Sequence, residues 1–237
     1  MDYFLGNAPE GEVAVLTDSE MHHCLKVLRH SVGDEIGITD GMGNLWICQI
    51  LEDNRNSNQM KAKVLKHEWM HRERKHDLTL ICCGPEDPSR MEWLIEKGVE
   101  LGVTRFLITR SQRSGFIKLK ESRLNTLIRT ALKQCGRTKL PDYTFFESLP
   151  DCLKETSELS GLKILGNASG LPIKQLDSEA QNQAVFVICG PEGDFSAQEY
   201  ELLAKNNFVG ACLGKTRLRS ETASVALLVW VISQSES

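Results

Sequence analysis

From residue 78 onward, short apolar runs alternate with longer segments whose apolar positions recur every three or four residues. The runs are "LTLICC" (78–83), "VTRFLI" (103–108), "LKILG" (162–166), "AVFVICG" (184–190) and "VGACLG" (209–214). Between them lie "SRMEWLIEKGVELG" (89–102), "ESRLNTLIRTALKQCG" (121–136) and "SAQEYELLAKNN" (196–207). Strands without internal alternation are buried on both faces, and strands separated by helices pair in parallel. The pattern therefore predicts an α/β domain with a parallel sheet, whose ligands bind beyond the carboxyl ends of the strands. Helix boundaries follow from local chemistry. Ser89 with Glu92, and Ser196 with Glu199, have the spacing of capping boxes, and Gly102 ends the first helix. Leu124, Leu127, Ile128, Ala131 and Leu132 line one face of the second.

The first 66 residues have a different period. "EIGITDGMGNLWICQILED" alternates around a glycine-rich hairpin turn, and "MKAKVL" alternates again. One helical segment, "DSEMHHCLKVLR", interrupts them with Met21, Cys24, Leu25 and Leu28 in register. Short strands plus one helix predict a small barrel. "KHEWMHRERKHD" (66–77) reads as a polar linker, which divides the chain into domains 1–72 and 73–237. His67 and His71 in that stretch have a helical chelate spacing, but no acidic or cysteine partner follows at ligand distance. We therefore expect a solvated linker and no metal.

Composition excludes several classes. With 41% hydrophobic and 25% charged residues among 237, the chain is an ordinary globular one. No apolar run reaches the roughly 18 residues of a membrane span, and the acidic start "MDYFLGNAPEGE" is unlike a signal peptide. A cytoplasmic protein without membrane contact is the expectation. The eight cysteines form no C-x-x-C pair and mostly sit in apolar runs, as buried reduced thiols do. Net charge is −4, yet nine cations (Arg110, Arg113, Lys118, Lys120, Arg123, Arg129, Lys133, Arg137, Lys139) face Glu121 alone between positions 110 and 139. Such an excess in an acidic chain points to a polyanionic partner.

Two strand ends carry unusual loops. "VFVIC" runs into Gly190, Pro191, Glu192, Gly193 and Asp194. "VGACLG" runs into Lys215, Thr216, Arg217, Leu218 and Arg219 before the apolar stretch that follows "SETA". Charges at the mouth of a buried helix cost desolvation unless something there requires them. Glycines after a strand let a ligand approach the backbone, although tight turns need them too. Neither phosphate-loop pattern, G-x-x-x-x-G-K-[ST] or G-x-G-x-x-G, follows a strand, and two carboxylates in the loop disfavour polyphosphate. S-adenosylmethionine, with its cationic sulfonium, suits such loops better.

The order "HHCLKVLR", "GDEIGITDGMG", "RMEWLIEKGVELGV", "TRSQRS", "ALKQCGRTKLP", "GPEGDFSAQE", "LGKTRLRSETA" resembles the RsmE family of small-subunit ribosomal RNA uridine-N3 methyltransferases, within the knotted SPOUT superfamily. The resemblance spans both halves. It implies a PUA-like β-barrel for RNA, a SPOUT α/β domain with a deep trefoil knot, a homodimer packed through the knot, S-adenosylmethionine as cofactor and no metal. The substrate it implies is 16S ribosomal RNA or the assembled small subunit. On the family pattern the cofactor is held by Leu165, Gly166, Asn167, Gly190, Pro191, Glu192, Gly193, Leu213, Gly214, Leu218, Thr222 and Ala223. Arg219 would stabilise charge on the uracil oxygens, and Glu221 would orient Arg219 or accept the proton. RNA contacts fall to Arg29, Arg110, Arg113, Lys133, Gln134 and Arg137. Three features depart from the family: Asp194 replaces a second glycine, Glu86 and Asp87 stand near a usual lysine, and Arg217 replaces an aliphatic residue. Two other classes stay open: a binding module without catalysis, and a related enzyme acting on a ribose 2′-hydroxyl or on transfer RNA.

Overall fold

The computed structural model describes residues 1–54, 59–115, 119–176 and 182–235. Lys118 lies outside them. Two compact units are present, one formed by 1–73 with 129–140, the other by 74–128 with 141–237.

In the first unit β1 (Tyr3–Leu5), β2 (Val13–Thr17), β3 (Glu35–Thr39), β4 (Asn44–Asn54) and β5 (Gln59–Trp69) form one curled sheet in the order β1-β3-β4-β5-β2. All pairings are antiparallel except β1 with β3. A helical turn α1 (Asp18–His22) runs into a π-helical turn, His23–Val27. Alternation sets the faces: Met60 and Ala62 of β5 are buried with Phe4, Leu16, Ile36, Ile38 and Ile50, while Lys61 and Lys63 face water. The hairpin turn is where the glycines place it. Gly41 and Gly43 hold φ of +75° and +111°, and Asp40 Oδ1 accepts from the amides of Met42 and Asn44.

The first four residues of the polar stretch 66–77 are strand, because β5 extends to Trp69, whereas 70–77 carry no helix or strand. His67 is therefore a strand residue, stacked on Trp46 and bonded to Asn44 at 2.9 Å, and His71 pairs with Glu68 at 2.6 Å. Segment 129–140 contributes an ion pair that is almost wholly buried. Arg137 donates to Glu73 at 3.0 and 2.7 Å, and Glu73 also accepts from the amides of Thr138 and Lys139.

The second unit holds six parallel strands: β6 (Leu78–Cys82), β7 (Arg105–Ile108), β8 (Asp142–Phe145), β9 (Leu162–Pro172), β10 (Val185–Cys189) and β11 (Phe208–Cys212), in the order β11-β9-β10-β6-β7-β8. The helices are α2 (Pro88–Glu100), α3 (Glu121–Cys135, whose last turns belong to the first unit), α4 (Leu149–Thr156), α5 (Ala197–Lys205) and α6 (Ser220–Ser235). β6 and β10 are buried at every position, as their unbroken apolar runs require. Ser196 and Glu199 form the reciprocal capping box. Ser89 is not a cap: Asp87 is, accepting from the amides of Ser89 and Arg90, because Pro88 fits the first helical position and lacks an amide hydrogen. β9 is longer than its apolar run, continuing through Asn167–Pro172 along β11. There the backbones touch so closely that a Cβ on Gly170 would stand 2.4 Å from the carbonyl carbon of Gly210. All eight cysteines are free, and burial pushes the Cys189 thiol up to about 11 and that of Cys152 to about 12.

Candidate functional site

The carboxyl ends of β9, β10 and β11 lie side by side because Gly166 pairs with Cys189 and Leu165 with both Ile188 and Gly210. This register brings the Leu165–Gly166 end of the apolar run level with the strand that leads into the Gly190–Gly193 loop. The glycines are there for different reasons. A Cβ on Gly166 would meet Cys189 Sγ at 2.7 Å, and one on Gly193 would meet the Arg113 carbonyl oxygen at 3.0 Å. Asp194 keeps φ at +60° and ties the loop down: its carboxylate accepts from the Phe195 amide at 2.8 Å and from the Tyr200 hydroxyl at 2.7 Å. The departure from glycine is thus accommodated. Burial, reinforced by Asp194, raises the Tyr200 phenol well above its ordinary value, so it stays a donor.

The β11–α6 loop leads into α6, whose Glu221 is linked to Glu192 of the glycine loop through Arg90. Lys215, Arg217, Leu218 and Arg219 are all exposed, and among the described residues none of the three cations forms a hydrogen bond or ion pair. The desolvation argument thus fails for them; only Glu221 is buried, at 7% exposure. Glu221 feels the charge of Arg219 but makes its hydrogen bonds elsewhere. Arg90, at the start of α2, occupies both of its oxygens at 2.8 and 2.6 Å and reaches Glu192 at 3.0 Å. Burial pushes the Glu221 carboxyl up, but these hydrogen bonds outweigh it and hold it below the usual range. A carboxylate so held is a weak proton acceptor near neutrality. Arg90 was missed in the sequence because "RMEW" reads as the opening of an amphipathic helix. Its position in the first turn of α2 was the available signal.

Polar groups left without partners show what the site can hold. Ser220 Oγ is buried and unbonded, and among the described residues the amides of Leu213, Gly214, Lys215, Arg217, Leu218 and Thr222 have no acceptor. Unspent donors beside the amino end of a helix favour an anionic or acceptor-rich ligand. The adenosine and amino-acid carboxylate of S-adenosylmethionine meet that requirement, with Glu192 exposed nearby for a cationic centre. Thr222 and Ala223 lie in the first turn of α6, where the sequence put them.

The RNA candidates divide. Arg29 and Gln134, in the first unit, are exposed. Arg110 donates to the Glu147 carbonyl at 2.8 Å and Arg113 to that of Gly193 at 3.5 Å, both with exposed side chains. Lys133 is paired with Glu20 at 2.6 Å. Arg137 cannot meet phosphate: it is 3% exposed and spent on Glu73. Arg123 is likewise paired, with Glu92. The apparent excess of cations between 110 and 139 is thus reduced by carboxylates distant in sequence, which a local count does not see. A cleft of about 630 Å³ lined by Arg110, Gln112, Ser148, Gln198 and Lys205 opens beside α5 and excludes the glycine loop.

Residues 72–232 match the family described as an RNA methyltransferase domain, and 16–59 the RNA methyltransferase PUA domain. The ribosomal RNA small subunit methyltransferase E of Bacillus subtilis is 26% identical over 93% of this chain and 90% of its own length. That of Aquifex aeolicus is 26% identical over 96% and 97%. Among solved structures, a probable rRNA-methyltransferase from Porphyromonas gingivalis superposes with a TM-score of 0.83 at 25% identity, covering 100% of this chain and 99% of that one. A ribosomal RNA small subunit methyltransferase E from Neisseria gonorrhoeae, bound to S-adenosyl methionine, has the same fold, with a TM-score of 0.82 at 24% identity over 99% and 98%. The fold class is that of the SPOUT methyltransferases with a PUA-like sheet. A family match over both units, joined to a glycine-walled site at the end of β10, leaves one assignment: the chain belongs to the RNA methyltransferase family, among the ribosomal RNA small subunit methyltransferase E proteins.

Proposed function

We propose that the chain methylates N3 of a uridine in small-subunit, 16S, ribosomal RNA at the expense of S-adenosylmethionine. The observation that carries this reading is the unpaired Arg219 at the mouth of α6, beside backbone amides and a buried hydroxyl that have no partner. Relatives named ribosomal RNA small subunit methyltransferase E support the substrate. Backbone at Leu165–Asn167, Gly190–Gly193, Leu213, Gly214 and Leu218 would hold the adenosine, and Thr222 and Ala223 the carboxylate end. When bound, the cofactor supplies an electrophilic methyl group.

The protein's own part is to make uracil N3 nucleophilic. As N3 loses its proton, negative charge spreads to O2 and O4. The exposed Arg219 guanidinium, with no side-chain hydrogen bond or ion pair among the described residues, can meet it there. Arg90 keeps Glu221 ionised and fixed, so Glu221 acts as a strut under the α6 mouth and the proton leaves to solvent. Target uridines in structured RNA must leave their stack to reach such a site. We assign RNA grip to 1–72 and methyl transfer to 73–237, with Arg29, Arg110, Arg113 and Gln134 as phosphate and sugar contacts. We also infer that it works in the cytoplasm, as a homodimer. α6 is apolar on nearly every side, and Val229 is 50% and Trp93 of the adjoining α2 43% exposed, a face suited to an isologous contact.

Nucleosides from 16S RNA or small subunits treated with the protein and cofactor, separated by mass spectrometry, test the reading. N3-methyluridine is the expected product. A 2′-O-methyl nucleoside, or none, overturns it.

A further inference from the structure

An indole buries about 150–250 Å² when it packs, and leaving it in water forgoes about 25 cal/mol per Å² of that. Trp69, the last residue of β5, is nonetheless 64% exposed. A lone exposed apolar side chain needs no explanation. Trp69 is not alone: Met42, at the tip of the β3–β4 hairpin, is 67% exposed, and the two are brought together by Gly43 between them. A Cβ on Gly43 would stand 3.3 Å from the far edge of the Trp69 ring and 2.9 Å from Met70 Sδ. Glycine therefore lets the indole lie across the hairpin backbone.

That backbone is fixed from three directions. The Gly43 amide donates to the Thr138 carbonyl at 3.0 Å, the Met70 amide to the Gly43 carbonyl at 2.7 Å, and the Leu140 amide to the Gly41 carbonyl at 2.8 Å. The ring is thus an apolar surface on a rigid mount, inside the first unit. Electrostatics choose its partner. The carboxylates nearest the patch in sequence are spent: Asp40 on the amides of Met42 and Asn44, Glu68 on Lys66 and His71, and Glu73 on Arg137 and the neighbouring amides. Lys139, bridged to Met42 through the backbone, is exposed with no side-chain partner among the described residues. An aromatic face beside an unneutralised cation suits a planar base carried on a phosphate chain, since stacking is tolerant of base identity and the cation tracks the backbone.

We propose that Trp69, supported by Met42 and Gly43 and flanked by Lys139, is a base-stacking platform for an unpaired nucleotide of single-stranded RNA. It rests on the reading of the chain as an RNA methyltransferase and names a residue by which the first unit takes hold of a base.

The test uses the full chain and a uridine-rich single-stranded oligonucleotide, with tryptophan fluorescence and anisotropy as readouts. Trp69→Ala should weaken binding by about 5- to 100-fold, the range of one lost stacking contact, and remove most of the fluorescence quenching. Trp69→Phe should recover most of the affinity. The slope of log K against log salt should be unchanged in Trp69→Ala, because stacking releases no counterions, and flatter by about 0.7 in Lys139→Gln. Unchanged affinity in Trp69→Ala overturns the platform. So does a change in its molar mass by light scattering with RNA affinity intact, which would make the patch a protein contact. Methylation by the wild-type chain is read in parallel: its absence defeats the enzymatic reading, whereas its survival alongside full RNA affinity in Trp69→Ala defeats only the platform.

Discussion

Segments 129–140 and 213–221 look alike on paper: each gathers four and three cations respectively within a dozen residues, next to helical sequence. In the structure they are opposites. Arg137 is buried against Glu73 and Lys133 is paired with Glu20, so half of the first group holds the fold together. Lys215, Arg217 and Arg219 are exposed, and their side chains are unpaired among the described residues. The two groups differ in what faces them, not in their composition. A cation matched by a buried carboxylate is structural, whereas one left over at a strand end is available to a ligand.

The largest effect should come from the structural member. Arg137→Met removes one partner of a buried pair and strands Glu73, whose other acceptor positions serve Thr138 and Lys139. Urea unfolding should show a loss of about 3–5 kcal/mol. The double change Arg137→Met with Glu73→Leu should recover part of it, since no buried charge then remains unpaired. If Arg137→Met left stability alone and flattened the salt dependence of RNA binding, the contrast between the segments would collapse.

Arg219 should behave in the reverse way. Arg219→Ala should leave the unfolding midpoint in place and lower kcat by about 10²–10³, equal to about 2.7–4 kcal/mol, the size of one lost oxyanion donor. Cofactor affinity should hardly move, because the contact matures only in the transition state. Arg219→Lys should recover little, as an ammonium lacks the planar fork. Higher pH should rescue the Ala variant in part by supplying uracil anion. Weaker RNA binding with an unchanged single-turnover rate at saturation would make Arg219 an anchor.

Arg90 stands between the two behaviours, paired like Arg137 yet placed at the site like Arg219. Its bidentate hold on Glu221 should be worth about 1.5–3 kcal/mol. Arg90→Gln should therefore lower both stability and kcat by amounts in that range. The sign with pH follows from the depressed Glu221 carboxyl. Its stabilising contribution is complete above the unfolded value, about 4.3, and is lost as pH falls through the lower folded one. Between pH 6 and 8 the wild-type rate should carry no titration from Glu221, and Arg90→Gln should introduce one. A profile unaltered by Arg90→Gln would detach this ion pair from the chemistry.

The α/β domain was legible because its strands are buried on both faces and leave unbroken apolar runs; the hairpin was legible because Gly41 and Gly43 need positive φ. β8 and α4 were missed, since "DYTF" is largely exposed and Pro150 sits inside the first turn of α4. The second half of β9 was hidden because its fit to β11 depends on Gly170 meeting Gly210, a contact with no local period. At the site, glycines and Arg219 could be found from their place after strands. Arg90 and the neutralisation of Arg123, Lys133 and Arg137 could not, because each depends on a carboxylate at least twenty residues away.

The smallest effect belongs to the cations that stay exposed and unpaired. Lys120 and Arg129 are exposed and unpaired among the described residues, whereas Arg123 and Lys133 carry the same charge but are tied to Glu92 and Glu20. Counterion release depends on phosphates neutralised, not on cations present. Replacing Lys120 and Arg129 together with Gln should flatten log K against log salt by about 1.4–1.8 units, two contacts at about 0.7–0.9 each. The matched pair Arg123→Gln with Lys133→Gln should change the slope by less than about half a unit, because a cation already facing a carboxylate recruits few phosphates. Equal slopes in the two double variants would mean that RNA opens these surface ion pairs on binding. Pairing in the free protein would then no longer tell which of the cations between 110 and 139 serve the fold and which serve the substrate.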